Sequence, residues 1–356
     1  MRQHLVDLLD VWQADYQDDW VVAVLTHVQG SSYRKPGAIM LFHPLGKTLG
    51  MLSGGCLEAD LRRHAQRAIQ TQQVIQLTYD ATDESDTSYQ LGCGGIVNIM
   101  MLAVNSANQY LGLQQLYFDL QSGKKGQYQL DIAQDGSPCS SVTGLWQTDE
   151  VISAIDVDHE SQTATHSVSP TAIKTQIMPI TDADYPHKHR IIIPVSPPIH
   201  IGIFGGGLDA QPLAQIAHNL GWKISVFDER TAYARSYDFP HCTVYKMPVD
   251  KVAHELLASL NGAFIMNHNL NLDAKTLRVL VSQPLGYIAL LGPAHRRDKV
   301  LELAQLVADD FNGYFSAPAG IALGGELPSS VALSMLAQCH GVLHQSKLLS
   351  LDKVML

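Results

Sequence analysis

Two cysteines of this chain stand between glycines. Cys56 lies in Ser53-Gly54-Gly55-Cys56-Leu57-Glu58, and Cys93 in Leu91-Gly92-Cys93-Gly94-Gly95. Glycine removes the side chains that would keep another molecule off the backbone, and a thiolate is both a nucleophile and a soft metal ligand. Cys56 also precedes a predicted helix, whose amide groups and dipole favour the thiolate. Both cysteines are therefore candidates for nucleophilic chemistry and for metal ligation, with Gly54, Gly55 and Gly94 as points of close approach. The competing reading is that each is a small buried thiol beside turn glycines, and spacing leaves both open. Upstream, Gly30-Ser31-Ser32-Tyr33-Arg34-Lys35-Pro36-Gly37 is turn chemistry with two cations. Ser31, Ser32 and Arg34 could contact a phosphate there, although a solvated turn has the same composition.

A second set of residues lies in the later half. Gly205-Gly206-Gly207-Leu208-Asp209-Ala210 has the form G-x-G-x-x-G/A between a predicted strand and a predicted helix. Asp228 ends the next strand, about 20 residues on. In that pattern Gly205 allows the tight turn, Gly207 lets a pyrophosphate reach the helix N-terminus, and Asp228 accepts from a ribose diol. Asp209, however, carries negative charge to the phosphate end. Three further loops fall at strand ends: Asn267-His268-Asn269 with Asp273, Gly292 to Arg297, and Ala317 to Glu326. His268 is a candidate acid/base and Arg296 a candidate phosphate clamp. A Rossmann fold that keeps its shape without a nucleotide remains an alternative.

The elements that must position these residues change character near the Pro194-to-Pro198 linker, PVSPP. Before it, the pattern predicts a helix over 4–12 and strands over 20–27, 38–43 and 48–52. A helix opened by Ser53–Glu58 follows, then strands over 74–80 and 96–104. Residues 110–186 are polar, with short alternating runs, and read as an irregular β-rich continuation. After the linker, apolar runs alternate with helices, which predicts a parallel, doubly wound sheet. The expected architecture is an α+β domain over 1–197 and a Rossmann-type α/β domain over 198–356.

The chain has 356 residues, 46% hydrophobic and 16% charged, with a formal net charge of −10, so two compact cores are expected and no basic stripe for nucleic acid or anionic membrane. No segment reaches about 18 uninterrupted apolar residues, and the first twenty residues lack a signal-peptide pattern, so a cytoplasmic protein is expected. Five widely spaced cysteines read as reduced thiols, without the spacing of a structural zinc site.

Six motifs in order, G-S-S-Y-R-K-P-G-A, S-G-G-C-L-E, L-G-C-G-G, G-G-G-L-D-A, L-G-P-x-x-R and A-P-A-G-I, resemble the XdhC/CoxI family of xanthine dehydrogenase accessory proteins. The resemblance covers nearly the whole chain. It implies a homodimeric carrier rather than a stand-alone enzyme. Such a carrier binds molybdenum cofactor, shelters it during sulfuration by a cysteine desulfurase, and delivers it to a xanthine dehydrogenase-like molybdenum hydroxylase. Cys56 and Cys93 match the family's cysteine positions, Gly205 and Gly207 its phosphate turn, and His268 with Asp273 its H-x-x-x-x-D element. The chain departs from the pattern at Leu208, Asn269, Ala322 and Gly325, while Glu326 remains.

Two other functions fit parts of the sequence. An NAD(P)-dependent oxidoreductase would use Gly205, Gly207 and Asp228, with His268 as its acid/base residue. A non-catalytic interaction module would keep the Rossmann half as a scaffold alone.

Overall fold

A computed structural model describes residues 4–80, 95–153, 174–180 and 188–346. Cys93 and Gly94 lie outside the described residues. The chain divides into two compact units, 3–197 and 198–356.

The first unit is built on an antiparallel sheet of five strands in the order β3-β2-β1-β5-β4. These are β1 (Trp20–Gln29), β2 (Ile39–Phe42), β3 (Thr48–Leu49), β4 (Ile75–Asp80) and β5 (Ile96–Val104). The unbroken apolar run of β1 is explained by burial on both faces. Val21, Ala23 and Leu25 face a core with helix α2 (Glu58–Thr71), while Trp20, Val22 and Val24 face one with helices α1 (Leu5–Gln13) and α3 (Leu113–Gln121). A second antiparallel sheet, in the order β7-β6-β9-β8, adds Tyr128, Leu130, Ile191 and Ile193 to that second core. Its strands are β6 (Gly126–Ile132), β7 (Gly144–Thr148), β8 (Gln176–Pro179) and β9 (His189–Val195).

The region after Tyr110 is thus more regular than its composition suggests. α3 carries Leu113, Leu116 and Leu120 at helical spacing, and all three are buried. The predicted linker also begins too early. Pro194 and Val195 close β9 and pair with Gln127 and Gly126 of β6. Proline is tolerated at Pro194 because, among the described residues, β8 pairs with β9 only over His189–Ile192, which leaves the other side of the strand there unpaired.

The second unit is a six-stranded, all-parallel sheet in the order β12-β11-β10-β13-β14-β15. The strands are β10 (His200–Phe204), β11 (Lys223–Phe227), β12 (Thr243–Tyr245), β13 (Gly262–Ile265), β14 (Tyr287–Leu290) and β15 (Tyr314–Ser316). Helices α4 (Ala210–Asn219) and α8 (Pro328–Leu343) cover one face. The other carries α6 (Leu270–Leu280) and α7 (Ala294–Ala304), with the short α5 (His254–Ala258). Numbered from β10, the strand order is 3-2-1-4-5-6, the doubly wound order of a Rossmann domain. The direction of winding reverses between β10 and β13, and the Gly205 turn follows β10 at that point.

Candidate functional site

Cys56 is exposed and lies at the lip of a cavity of about 220 Å3. The cavity is lined mainly by Leu25, Leu52, Leu57, Val97 and Ile99, with Ser32 and Tyr33 from the Gly30 loop. β1 shifts register against β5 between Leu25 and His27 and stays paired with it as far as Gln29, where that loop begins. Cys56 stands just before the helix rather than in it, because α2 starts at Glu58 with Leu57 as its N-cap residue.

What holds the cysteine loop is a hydrogen-bond relay that residue spacing alone does not single out. The Glu58 carboxylate accepts from the Ser53 amide at 3.0 Å, the Leu52 amide at 3.3 Å and the Ser53 hydroxyl at 2.5 Å. Ser53 Oγ in turn accepts from the amides of Gly55 at 3.2 Å and Leu57 at 3.1 Å. Burial alone would raise the Glu58 pKa; the Ser53 hydroxyl and the Ser53 and Leu52 amides outweigh it and hold the group below its ordinary value. The first and last residues of S-G-G-C-L-E thus clamp the middle, and the two glycines are left open. Among the described residues, a Cβ on Gly54 or Gly55 would meet no atom within 4 Å, and Gly55 has φ +113.

The Gly30 loop divides its predicted contacts. Ser32 faces the Cys56 cavity, whereas Arg34 lines a separate cavity of about 200 Å3 with His4 and Pro194. The Ser31 carbonyl packs on Gly95, where a Cβ would fall 2.2 Å from it. His43, with Asp18 at 3.0 Å and Asp15 at 3.6 Å, forms the one cluster of three metal-ligating groups among the described residues. His43 Nδ1 accepts the Leu45 amide, so Nε2 carries the proton and the ring donates to the carboxylates.

In the second unit the turn glycines have distinct duties. Gly205, at φ +111, lies so close to Met266 that a Cβ would sit 2.5 Å from its carbonyl. Gly206 is covered by Ala234, whose amide donates to the Gly206 carbonyl at 2.9 Å. At Gly207 a Cβ would meet only the Asp209 carboxylate.

Asp228 does not stand open to a ribose diol. Its side chain is 0% exposed and accepts from the Gly206 amide at 2.9 Å, the Arg230 amide at 3.0 Å and both Nε and Nη2 of Arg230. Burial would push its pKa up, but the Arg230 bonds and the Gly206 amide hold it down. Arg230 also donates to the Asn267 carbonyl at 3.0 Å and lies over the Tyr233 ring.

Arg296 is likewise committed inside the fold. It donates to the buried Asp273 carboxylate and, at 3.0 Å, to the Leu291 carbonyl, while the other Asp273 oxygen accepts from the Asn267 side-chain and backbone amides. The H-x-x-x-x-D element therefore separates: Asp273 belongs to this internal lattice, and His268 Nε2 lies 2.7 Å from Asp209 Oδ2. His268 is 60% exposed and has φ +55. One hydrogen-bonded chain, from Asp228 through Arg230, Asn267, Asp273 and Arg296 to Leu291, spans the ends of β11, β13 and β14.

A Rossmann domain whose first turn is closed over by its own chain, joined to an α+β domain that presents a clamped, solvent-facing cysteine, defines the class of protein. The sequence comparisons specify it further. Residues 201–339 match the XdhC Rossmann domain, residues 14–80 match the XdhC and CoxI family, and the chain belongs to that family. It is 27% identical over 347 residues to a Bacillus subtilis (strain 168) protein described as a probable xanthine dehydrogenase subunit, covering 93% of this chain and 95% of that one. Escherichia coli (strain K12) YqeB is 31% identical over 141 residues, 38% of this chain and 26% of that protein. A crystal structure described as a xanthine dehydrogenase (BH1974) from Bacillus halodurans aligns with a TM-score of 0.74 at 27% identity, over 97% of both chains.

Proposed function

We propose that this protein is a xanthine dehydrogenase accessory factor. In this reading it binds molybdenum cofactor through its first unit, supports sulfuration of the cofactor by a cysteine desulfurase, and delivers it to a xanthine dehydrogenase-like molybdenum hydroxylase. The observation that carries the reading is Cys56, an exposed thiol at the mouth of an apolar cavity with open glycines on its N-terminal side. The names of the full-length relatives, which refer to xanthine dehydrogenase, support the choice of client.

The residues present fit such a cargo. Molybdenum cofactor brings a soft metal, a dithiolene and a flat pterin with a phosphate tail. Cys56 supplies a soft sulfur donor, Leu25, Leu52 and Ile99 supply apolar walls, and Gly54 and Gly55 allow close backbone approach. Ser53 and Glu58 fix the thiol's loop, and Cys93 is the candidate second thiol. A homodimer in the cytoplasm is part of the same proposal.

The oxidoreductase alternative is disfavoured by the second unit. Asp228 is enclosed by Arg230, Ala234 covers Gly206, and Asp209 presents a carboxylate where a pyrophosphate would bind. Molybdenum and pterin analysis of protein purified anaerobically from cofactor-producing cells tests the proposal. Wild type should retain both and Cys56→Ala should lose both. Equal loading of the two proteins would overturn it, as would saturable NAD(P)H binding without pterin.

A further inference from the structure

The Gly30 loop carries a cation that the function proposed for Cys56 does not use. Ser32 and Tyr33 line the Cys56 cavity, but Arg34 lines a second cavity of about 200 Å3 in the same unit. His4 and Leu5 at the start of α1, Leu8, Ile39 of β2, and the end of β9 from Ile193 to Ser196 form the rest of it. Its walls are therefore apolar on several sides. Its polar side chains are Arg34, His4 and Ser196, and no carboxylate lines it among the described residues.

The polar groups offer donors. The Arg34 guanidinium has no ion pair or hydrogen bond among the described residues, so its whole donor fork is available. His4 Nδ1 accepts the Val6 amide at 3.3 Å, which leaves Nε2 to carry the proton of the neutral ring. Burial lowers the His4 pKa against the opposing charge of Asp7, so the ring is neutral at pH 7 and Arg34 is the cavity's one charged lining group.

This lining sorts ligands by charge and by size. A cation, metal ions included, would meet the Arg34 charge with no acid in the lining to offset it. A neutral apolar molecule would gain the walls and leave the fork unused, whereas acetate or inorganic phosphate would gain the fork and leave the walls uncovered. A dinucleotide is too large, because about 200 Å3 is below the roughly 300–1,000 Å3 of pockets for drug-sized ligands. An apolar void of about 150 Å3 accommodates benzene. The cavity therefore has room for one six-carbon ring or a short branched chain, with a carboxylate attached.

We infer that this cavity binds a small monocarboxylate with a compact apolar body. The carboxylate pairs with the Arg34 fork, His4 Nε2–H supplies a further donor, and the body lies against Leu8, Ile39 and Ile193. The site is separate from the Cys56 cavity and does not depend on the cofactor reading.

The test follows benzoate binding to the full-length protein by ligand-observed NMR. Benzoate should bind saturably, and benzamide, which has the same ring without the charge, should bind at least tenfold more weakly. Arg34→Met keeps an apolar stem and removes the fork. It should weaken benzoate at least tenfold and leave Tm unchanged, because the guanidinium holds no other partner among the described residues. Cys56→Ala should bind benzoate as wild type does, since Cys56 borders the other cavity. Binding of 3-methylbutanoate without benzoate, with the same dependence on Arg34, would uphold the site and assign it to branched aliphatic acids. The inference is overturned if neither acid binds, if benzamide equals benzoate, if acetate or inorganic phosphate binds as tightly, if Arg34→Met has no effect, or if Cys56→Ala abolishes binding.

Discussion

Glu58→Gln is expected to be nearly as harmful as Glu58→Ala, because the Ser53 relay has a forced direction. Ser53 Oγ accepts from the Gly55 and Leu57 amides, which uses both of its lone pairs, so its single hydrogen must be donated to Glu58 Oε2. A glutamine would either direct its NH2 at an oxygen with no lone pair left or turn that NH2 toward the Leu52 and Ser53 amides. Either arrangement leaves unsatisfied donors next to the cysteine loop. Bonds to a charged acceptor contribute about 1.5–3 kcal/mol each, but one of the three is long and Glu58 is half-buried. The summed loss should be about 2–3 kcal/mol. For a domain of this size that lowers Tm by roughly 4–12 °C. The folded pKa of Glu58 lies below its unfolded value, so this stability is present above pH ~4.5 and is lost as pH falls through the folded pKa. Calorimetry should show the shift in the transition of the first unit alone, and iodoacetamide should alkylate Cys56 at an altered rate. Ser53→Ala combined with Glu58→Ala should cost less than the sum of the single changes. A Glu58→Gln protein with wild-type Tm and wild-type Cys56 alkylation would refute the relay.

The second unit offers three more tests. Arg230→Ala leaves the fully buried Asp228 carboxylate without its cation and should destabilise that unit by about 3–5 kcal/mol in thermal denaturation; intact stability with altered nucleotide binding would point to a ligand role for Asp228 instead. Gly206→Ala should lower Tm while Gly207→Ala should not, since an added Cβ at Gly206 would lie 2.4 Å from Ala234 Cβ and one at Gly207 would meet only the Asp209 side chain. His200 is buried beside Ser225, and burial, helped by Lys223, depresses its pKa to about 4. The unfolded chain therefore takes up the proton first: stability is full above pH ~6.5 and falls by about 3 kcal/mol as pH drops toward 4. His200→Gln should flatten that part of the pH profile of Tm, and an unchanged profile would contradict the assignment.

Much of the fold was legible because its signals are periodic. Continuous apolar strands alternating with helices after Ile199 announced a parallel sheet, and the Gly205 turn marked its first crossover. The signal failed where elements are short or polar. β15 has three residues, too few for a period, and α3 is spelled LQQLYFDLQ, whose buried leucines are separated by glutamines and aromatics. At the sites, residue type was legible but commitment was not. Asp228 and Arg296 carry the charges a nucleotide site needs, yet their partners, Arg230 and Asp273, complete internal ion pairs that no spacing rule reveals. Asp209 was the readable warning that the turn does not favour an anion. Ser53 and Glu58 were visible as the ends of a motif, but their function emerged only from the directions of five hydrogen bonds.

The most direct test of the central claim is activation of a cofactor-free xanthine dehydrogenase-like hydroxylase by this protein, loaded with sulfurated molybdenum cofactor, as wild type and as Cys56→Ser. Wild type should restore hydroxylase activity in proportion to the molybdenum transferred, and the Cys56→Ser protein, folded and equally concentrated, should restore little. Equal activation by both proteins would show that Cys56 does not handle the cofactor and would contradict the account.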